Sequence, residues 1–303
     1  MAYRLYDVPV EGGMLRVGQW GPADADSCAA TVIAVHGITA SHLAWAVVAQ
    51  ALPQVRLIAP DLRGRGRSAE LPGPFGMARH ASDLQTVSEV LGLPPAMVVG
   101  HSMGGFVAVV AAHLYPQRFT DVLLVDGGLP LEVPADVNRQ DLLEVTLGPA
   151  VRRLTMTFPD RQTYQEFWKQ HPAFGADQWN QAVADYADYD LVGAEPALRP
   201  STCVEAVRAD SMDQFGGGVV QAALAERSQG APEEGRSLTL LTAPRGLLNQ
   251  TPGLYSPQQI ERWRAELPAL RVRQVPDVNH YTIVMGQAGA GAVANEVMRL
   301  LHH

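Results

Sequence analysis

Between residues 31 and 125 short apolar runs alternate with helical stretches, and few architectures accommodate that rhythm. Thr31 to Val35 is a β-branched apolar run that stops short of Gly37. Leu43, Val47, Val48 and Leu52 follow at helical spacing, with Ser41 placed to cap the helix from its N-terminus. Arg56 to Ala59 is a second strand, closed by Pro60, Asp61 and a glycine-rich turn. Residues 78–91 put Leu84, Val87 and Leu91 on one helical face. Ala96 to Val99, an apolar helix over 102–113 and a strand over 121–125 complete the series. Strands that are apolar on both faces, separated by helices, predict an α/β fold with a mostly parallel central sheet covered by helices on both sides.

From Gly128 the rhythm breaks. Residues 129–236 contain no convincing buried strand but several helical patterns, such as Leu142 to Val145 and Tyr164 to Lys169. Phe158, Tyr164, Phe167, Trp168, Trp179, Tyr186 and Phe215 cluster in this stretch. The α/β rhythm restarts with a strand over 238–242, a helix over 256–267, a strand over 270–275 and a closing helix over 291–301. The expected organisation is therefore a core of residues 1–128 and 237–303, interrupted by a helical insertion over 129–236.

Charge supports that division. The insertion holds 17 acids and 9 bases and so carries the whole net charge of -8, while the rest of the chain, with 14 of each, is neutral. That balance disfavours a nucleic-acid binder, whose affinity rests on basic residues meeting phosphates. No apolar run approaches the length of a membrane span, and the first residues lack the basic-then-apolar layout of a secretory signal, so a soluble cytoplasmic protein is expected. Cys28 and Cys203 lie far apart and are read as two free thiols, which removes a disulfide scaffold or cysteine-built zinc site as the organising principle. No histidine pair has zinc-ligand spacing with a third ligand, and no dinucleotide or phosphate-loop glycine pattern is present, so neither metal nor cofactor is expected.

The strongest chemical signal is Gly100-His101-Ser102-Met103-Gly104-Gly105, a G-x-S-x-G string between a predicted strand and a predicted helix. A turn this sharp holds the serine in a strained conformation and projects its hydroxyl at the strand's C-terminal end. Side chains at the flanking glycines would strike neighbouring backbone. The helix that follows contributes unpaired N–H groups and a positive dipole end, both favourable to developing negative charge.

With these residues the sequence resembles the α/β-hydrolase superfamily over nearly all of the chain outside 129–236. His36-Gly37, the Asp61 to Ser68 turn, Val125-Asp126-Gly127 and Asn279-His280-Tyr281 match the family's pattern as they stand here. The resemblance implies an α/β-hydrolase fold with an inserted helical cap, and a cofactor-independent serine hydrolase. Ser102 is the implied nucleophile and His280, after the last strand, its base. The usual place for the orienting acid, after the strand that follows the insertion, is occupied by Gly246, and no Asp or Glu lies between residues 236 and 261. Some relatives place the acid at the end of the strand before the cap, which here is Asp126. Asp277, three residues from His280, is the rival. Backbone N–H groups of Ile38 and Met103 are the implied oxyanion donors.

The expected reaction is cleavage of a carboxylic ester, thioester or lactone, on a small and mostly apolar acyl substrate given the aromatic-rich cap. The same fold and residues also serve C–C bond hydrolysis, hydroxynitrile cleavage or acyl transfer, or persist in a ligand-binding relative without catalysis. His36 is expected to brace the oxyanion loop, His101 to point away from the working side of Ser102, and His42, His80, His113 and His171 to be structural. The arginines of the Asp61 to Ser68 turn are read as solvated.

Overall fold

The computed structural model describes residues 1–23, 30–131, 148–175, 178–215, 217–229 and 238–302. Eight strands form one sheet: β1 (Tyr3–Val10), β2 (Gly13–Trp20), β3 (Ala30–Val35), β4 (Val55–Pro60), β5 (Ala96–His101), β6 (Phe119–Val125), β9 (Leu238–Thr242) and β10 (Leu270–Gln274). Their spatial order is β1-β2-β4-β3-β5-β6-β9-β10. The first two strands form an antiparallel hairpin, β2 runs antiparallel to β4, and every later pairing is parallel. Each strand expected from residue 31 onward is present within a few residues of its expected limits.

Alternation along β3 divides the core. Ile33 and Val35 face one hydrophobic cluster, in which α2 (Met77–Val90) and α3 (Met103–Leu114) pack. Val32 and Ala34 face the other, with α1 (Ala46–Gln50), the short α10 (Thr282–Met285) and the closing α11 (Gln287–Leu301). Side chains that turn to opposite faces with period two make the central strands of a sheet covered on both sides apolar along their length. α3 is buried nearly all round, from Met103 to Ala112, as a helix must be when it lies between the sheet and further helices. α9 (Pro257–Glu266) starts with a capping box, in which Ser256 and Gln259 satisfy each other's backbone N–H groups.

Three local differences from the sequence reading have physical causes. The N-terminal hairpin was not expected, because only one side of β1 meets the core and its apolar signal is weak. The stretch after Ser41 is a 3-10 turn (His42–Trp45) running into the short α1, not one helix to Leu52. Ser41 stands at the N-cap with extended backbone, but its hydroxyl makes no capping bond.

β6 and β9 are neighbours, with Val125 opposite Leu241. The chain therefore leaves the sheet after Val125 and returns beside the point of departure. Between them lie α4 (148–154), α5 (Arg161–Lys169), α6 (Gln181–Asp190), a two-stranded pair β7 (Leu191–Val192) and β8 (Arg199–Pro200), α7 (Val204–Asp213) and α8 (Gly218–Gln229). The helical pattern at Leu142 to Val145 lies outside the described residues, as does Cys28, whereas Cys203 is a free thiol. No helix among the described residues is long and apolar enough to cross a membrane.

β3 and β5 are adjacent, and the chain leaves β3 towards β4 on one side before returning to β5 on the other. Connections that diverge in this way leave a crevice at the C-terminal ends of the two strands, where open α/β sheets bind ligands. Ile38 follows one of these strand ends and Ser102 the other.

Candidate active site

Ser102 sits between β5 and α3 with φ 55° and ψ -124°, a conformation a side-chain-bearing residue adopts only when its surroundings hold it there. Two backbone bonds pin it: its N–H donates to Val125 O at 3.0 Å, and its carbonyl accepts from Gly105 N at 3.0 Å. At Gly104 a Cβ would lie 2.0 Å from the carbonyl oxygen of Val35, so only glycine permits the turn to approach β3 this closely. Ser102 lines a cavity of about 40 Å³ together with Gly37, Ile38, Thr39, His101, His280 and Tyr281.

Asp126 directly follows β6, fully buried and with φ 46°. Its Oδ2 accepts from His280 Nδ1 at 2.7 Å, and its Oδ1 accepts from Ala243 N at 3.0 Å. These bonds orient the carboxylate and place the proton of a neutral His280 on Nδ1, leaving Nε2 as the ring's acceptor. Asn279 fixes the loop that carries His280. Its Oδ1 accepts from the N–H groups of Tyr281 and Thr282 at 3.0 and 2.9 Å, and its Nδ2 donates to Ala173 O at 3.0 Å. The rival acid, Asp277, is exposed, and it is its backbone carbonyl that accepts from Arg245 Nη2 at 2.8 Å.

The Ile38 and Met103 N–H groups find no acceptor among the described residues. The backbone around them is nonetheless held. His36 Nε2 accepts from Leu62 N at 2.9 Å while its Nδ1 donates to Gly37 O at 2.8 Å, the bracing expected from the sequence. These two bonds require the neutral ring, and burial pulls its pKa down to about 4, with nearby Asp61 offsetting part of the shift. An unfolded histidine titrates near 6.5, so the unfolded chain takes up a proton here that the folded chain refuses. The stability due to neutral His36 is complete above pH 6.5 and is lost as pH falls from 6.5 towards 4, by up to about 3 kcal/mol. His101 and His171 shift in the same direction, each through burial first. The urea midpoint should therefore be lower at about pH 4.5 than at about pH 7.5, and an unchanged midpoint would contradict this account.

Two expectations need correction. Arg63 and Arg65 are not solvated but are among the largest fully buried side chains. Burial is sustained by carboxylates from distant elements: Arg63 pairs bidentately with Asp83 at 2.9 and 3.0 Å, and Arg65 pairs with Asp210 of α7. Arg65 also donates from Nε to Ile38 O at 2.9 Å, and its Nη2 lies 3.8 Å from Met103 Sδ. It thus ties both residues with free N–H groups to the segment between β6 and β9. Sequence reasoning missed it because its partner lies 145 positions away. The second correction is His101, which does not turn away: its Nε2 donates to His280 O at 2.8 Å and the ring lines the Ser102 cavity. The adjacent loop offers a carbonyl in reach, and that bond sets the ring's direction.

His42 and His80 serve as buried structural partners. His42 Nδ1 donates to Asp61 at 2.7 Å and His80 Nε2 lies 2.9 Å from Asp210. Asp61 further accepts from Tyr189 Oη of α6 at 2.6 Å, a second tie between the turn after β4 and the segment between β6 and β9. No group of three His, Cys, Asp or Glu gathers for a metal ion among the described residues.

Comparison with known proteins places this arrangement in context. Residues 30–187, just over half of the chain, match the family model for the alpha/beta hydrolase fold. The chain is similar to lipase LipV of Mycobacterium tuberculosis, 35% identical over 118 residues that cover 39% of this chain and 43% of that protein. The first curated relatives are matched over only 33% to 59% of their length. Among solved structures, E-2-(acetamidomethylene)succinate hydrolase superposes with a TM-score of 0.79 at 18% identity, covering 100% of both chains. A thioesterase domain from the curacin biosynthetic pathway superposes with a TM-score of 0.73 at 21% identity, over 99% of this chain and 100% of that one. With its mostly parallel eight-stranded sheet and a strained serine between β5 and α3, this chain belongs to the alpha/beta hydrolase family.

Proposed function

We propose that the protein is a serine hydrolase that cleaves a carboxylic ester, thioester or lactone through an acyl-enzyme. The observation that carries this reading is the 2.7 Å bond from His280 Nδ1 to Asp126, beside the cavity that His280 shares with Ser102. Ser102 Oγ attacks the carbonyl carbon and its proton passes to His280 Nε2. Asp126 stabilises the imidazolium so formed and fixes its orientation. The free N–H groups of Ile38 and Met103 receive the oxyanion of the tetrahedral intermediate. His280 then protonates the leaving group, and water, activated by the same ring, releases the acid and restores Ser102.

The segment over 129–236 serves in this reading as a cap above the crevice. The lipase and the thioesterase domain among the similar proteins support an esterase-like activity. The test is pre-steady-state turnover of a p-nitrophenyl ester. A burst of p-nitrophenolate equal to the enzyme, with an acyl adduct on the Ser102 peptide that is absent from Ser102→Ala, is the expected result. Turnover that survives in Ser102→Ala would overturn the proposal.

A further inference from the structure

Next to the small Ser102 cavity lies a larger one of about 400 Å³, a volume ordinary for a small-molecule site. The two share Ala150, Leu247 and Tyr281 as lining residues, so they adjoin. Phe167, Trp168, Pro172 and Leu248 give the larger cavity an apolar wall. Into this wall are set Arg153 and His171, and no Asp or Glu lines the cavity among the described residues.

Arg153 is buried, at 3% exposure, yet its hydrogen-bonding capacity is not used up. Nη1 donates to Tyr164 Oη and to Asp190, and Nη2 reaches Thr39 O at 3.5 Å. Of five N–H donors, the one on Nε and the second on Nη2 have no protein partner among the described residues. Asp190 does not depend on Arg153 alone, since it also accepts from Tyr164 Oη at 2.5 Å and from Ser201 N and Oγ at 3.3 and 3.1 Å. The guanidinium carbon lies over the Trp168 ring, 5.0 Å from its centroid. Burial works against its charge, but Tyr164 and Asp190 outweigh that and hold its pKa above the usual value.

His171 adds a neutral donor. Its Nδ1 accepts from Ala173 N at 3.2 Å, which leaves the proton on Nε2, and burial together with Arg153 pulls its pKa down to about 4. A guanidinium with N–H groups left over from its pairing to Asp190, beside a neutral imidazole N–H and within an apolar wall, offers donors to an anionic ligand. A carboxylate fits it, because its two oxygens match the guanidinium edge, Nε and Nη2, that the pairing with Asp190 leaves open.

We propose that the substrate carries a carboxylate on its acyl chain, bound in the larger cavity by Arg153 and His171, away from the carbonyl that Ser102 attacks. This deepens the hydrolase reading and rests on it: the body of the substrate is apolar, as the aromatic wall requires, and its far end is anionic. Thr39 links the two subsites, since its carbonyl meets Arg153 while the residue lines the Ser102 cavity.

The test compares mono-p-nitrophenyl esters of succinic, glutaric and adipic acid with their neutral methyl-capped diesters. The wild-type protein should favour the best acid over its capped form by at least about tenfold in kcat/KM, the scale of one charge-assisted bidentate contact. Arg153→Lys, which keeps the charge but loses the fork, should bring that ratio close to one. Equal rates for acid and capped esters in the wild type would overturn the proposal, as would a ratio unchanged in Arg153→Lys. Should Arg153→Lys fail to fold, Trp fluorescence of Ser102→Ala titrated with glutarate and with neutral glutaramide decides. Saturable quenching by glutarate alone supports the site, and equal or absent responses to the two overturn it. If no ester is turned over but glutarate is bound selectively, the hydrolase reading fails and the carboxylate site stands.

Discussion

Asp126→Asn should lower kcat by at least about a hundredfold, and by as much as about ten-thousandfold, with little change in the folded structure. Ala243 N–H donates to Oδ1 of Asp126, and an asparagine would keep its carbonyl oxygen there. Its amide nitrogen would then face His280 Nδ1, the atom that now lies 2.7 Å from Oδ2. Two donors cannot meet, so the ring would be forced to carry its proton on Nε2 and could no longer accept one from Ser102. The loss should therefore persist at saturating substrate, as a kcat effect and not a KM effect. Steady-state kinetics on a p-nitrophenyl ester check this. Near-normal kcat would move the acid to another residue, and Asp277 would then be the next to replace.

Gly127→Ala should cost about 3 kcal/mol or more of folding free energy, and leave whatever protein folds poorly active. A Cβ at this position would lie 2.1 Å from the carbonyl oxygen of Ser102 and 2.4 Å from its Cα. Neither atom can yield, because the Ser102 turn is pinned to Val125 and Gly105 by backbone bonds of 3.0 Å. Gly291, within α11, provides the control: nothing lies within 4 Å of its added Cβ, and alanine there should stabilise the helix by about 1 kcal/mol. Urea denaturation of both variants checks the pair. Equal midpoints for Gly127→Ala and the wild type would mean that β6 and the Ser102 turn do not approach as closely as described.

The strands β3, β4, β5, β6 and β9 were legible because they are buried on both faces for most of their length. A mostly β-branched run such as Thr31 to Val35, followed by a helical pattern, admits few other readings. The β1–β2 hairpin escaped because it shields one edge of the sheet and exposes residues such as Tyr3 and Leu5. Ser41 shows the limit of capping rules: its position and backbone fit the cap, but the following turn is 3-10 and the hydroxyl has no partner.

At the site, the G-x-S-x-G string identified a strained serine turn directly, since local backbone sterics require it. Asp126 and His280 could be brought together only through the family resemblance, because 154 positions separate them and no periodicity encodes that contact. Arg65 and Arg153 lay beyond reach for a related reason. An arginine in a polar turn or on a short helix is most often solvated, and only the arrival of Asp210 or Asp190 from another element makes it a buried anchor. His101 likewise takes its direction from the His280 carbonyl, a group no local pattern announces.

The central claim is that Ser102 is an activated nucleophile, and a fluorophosphonate probe tests it most directly. The folded protein should be labelled on the peptide containing Ser102, and Ser102→Ala should take up no label. A folded wild-type sample that stays unlabelled, or one labelled elsewhere and equally in Ser102→Ala, would contradict the account and favour a ligand-binding protein built on the same fold.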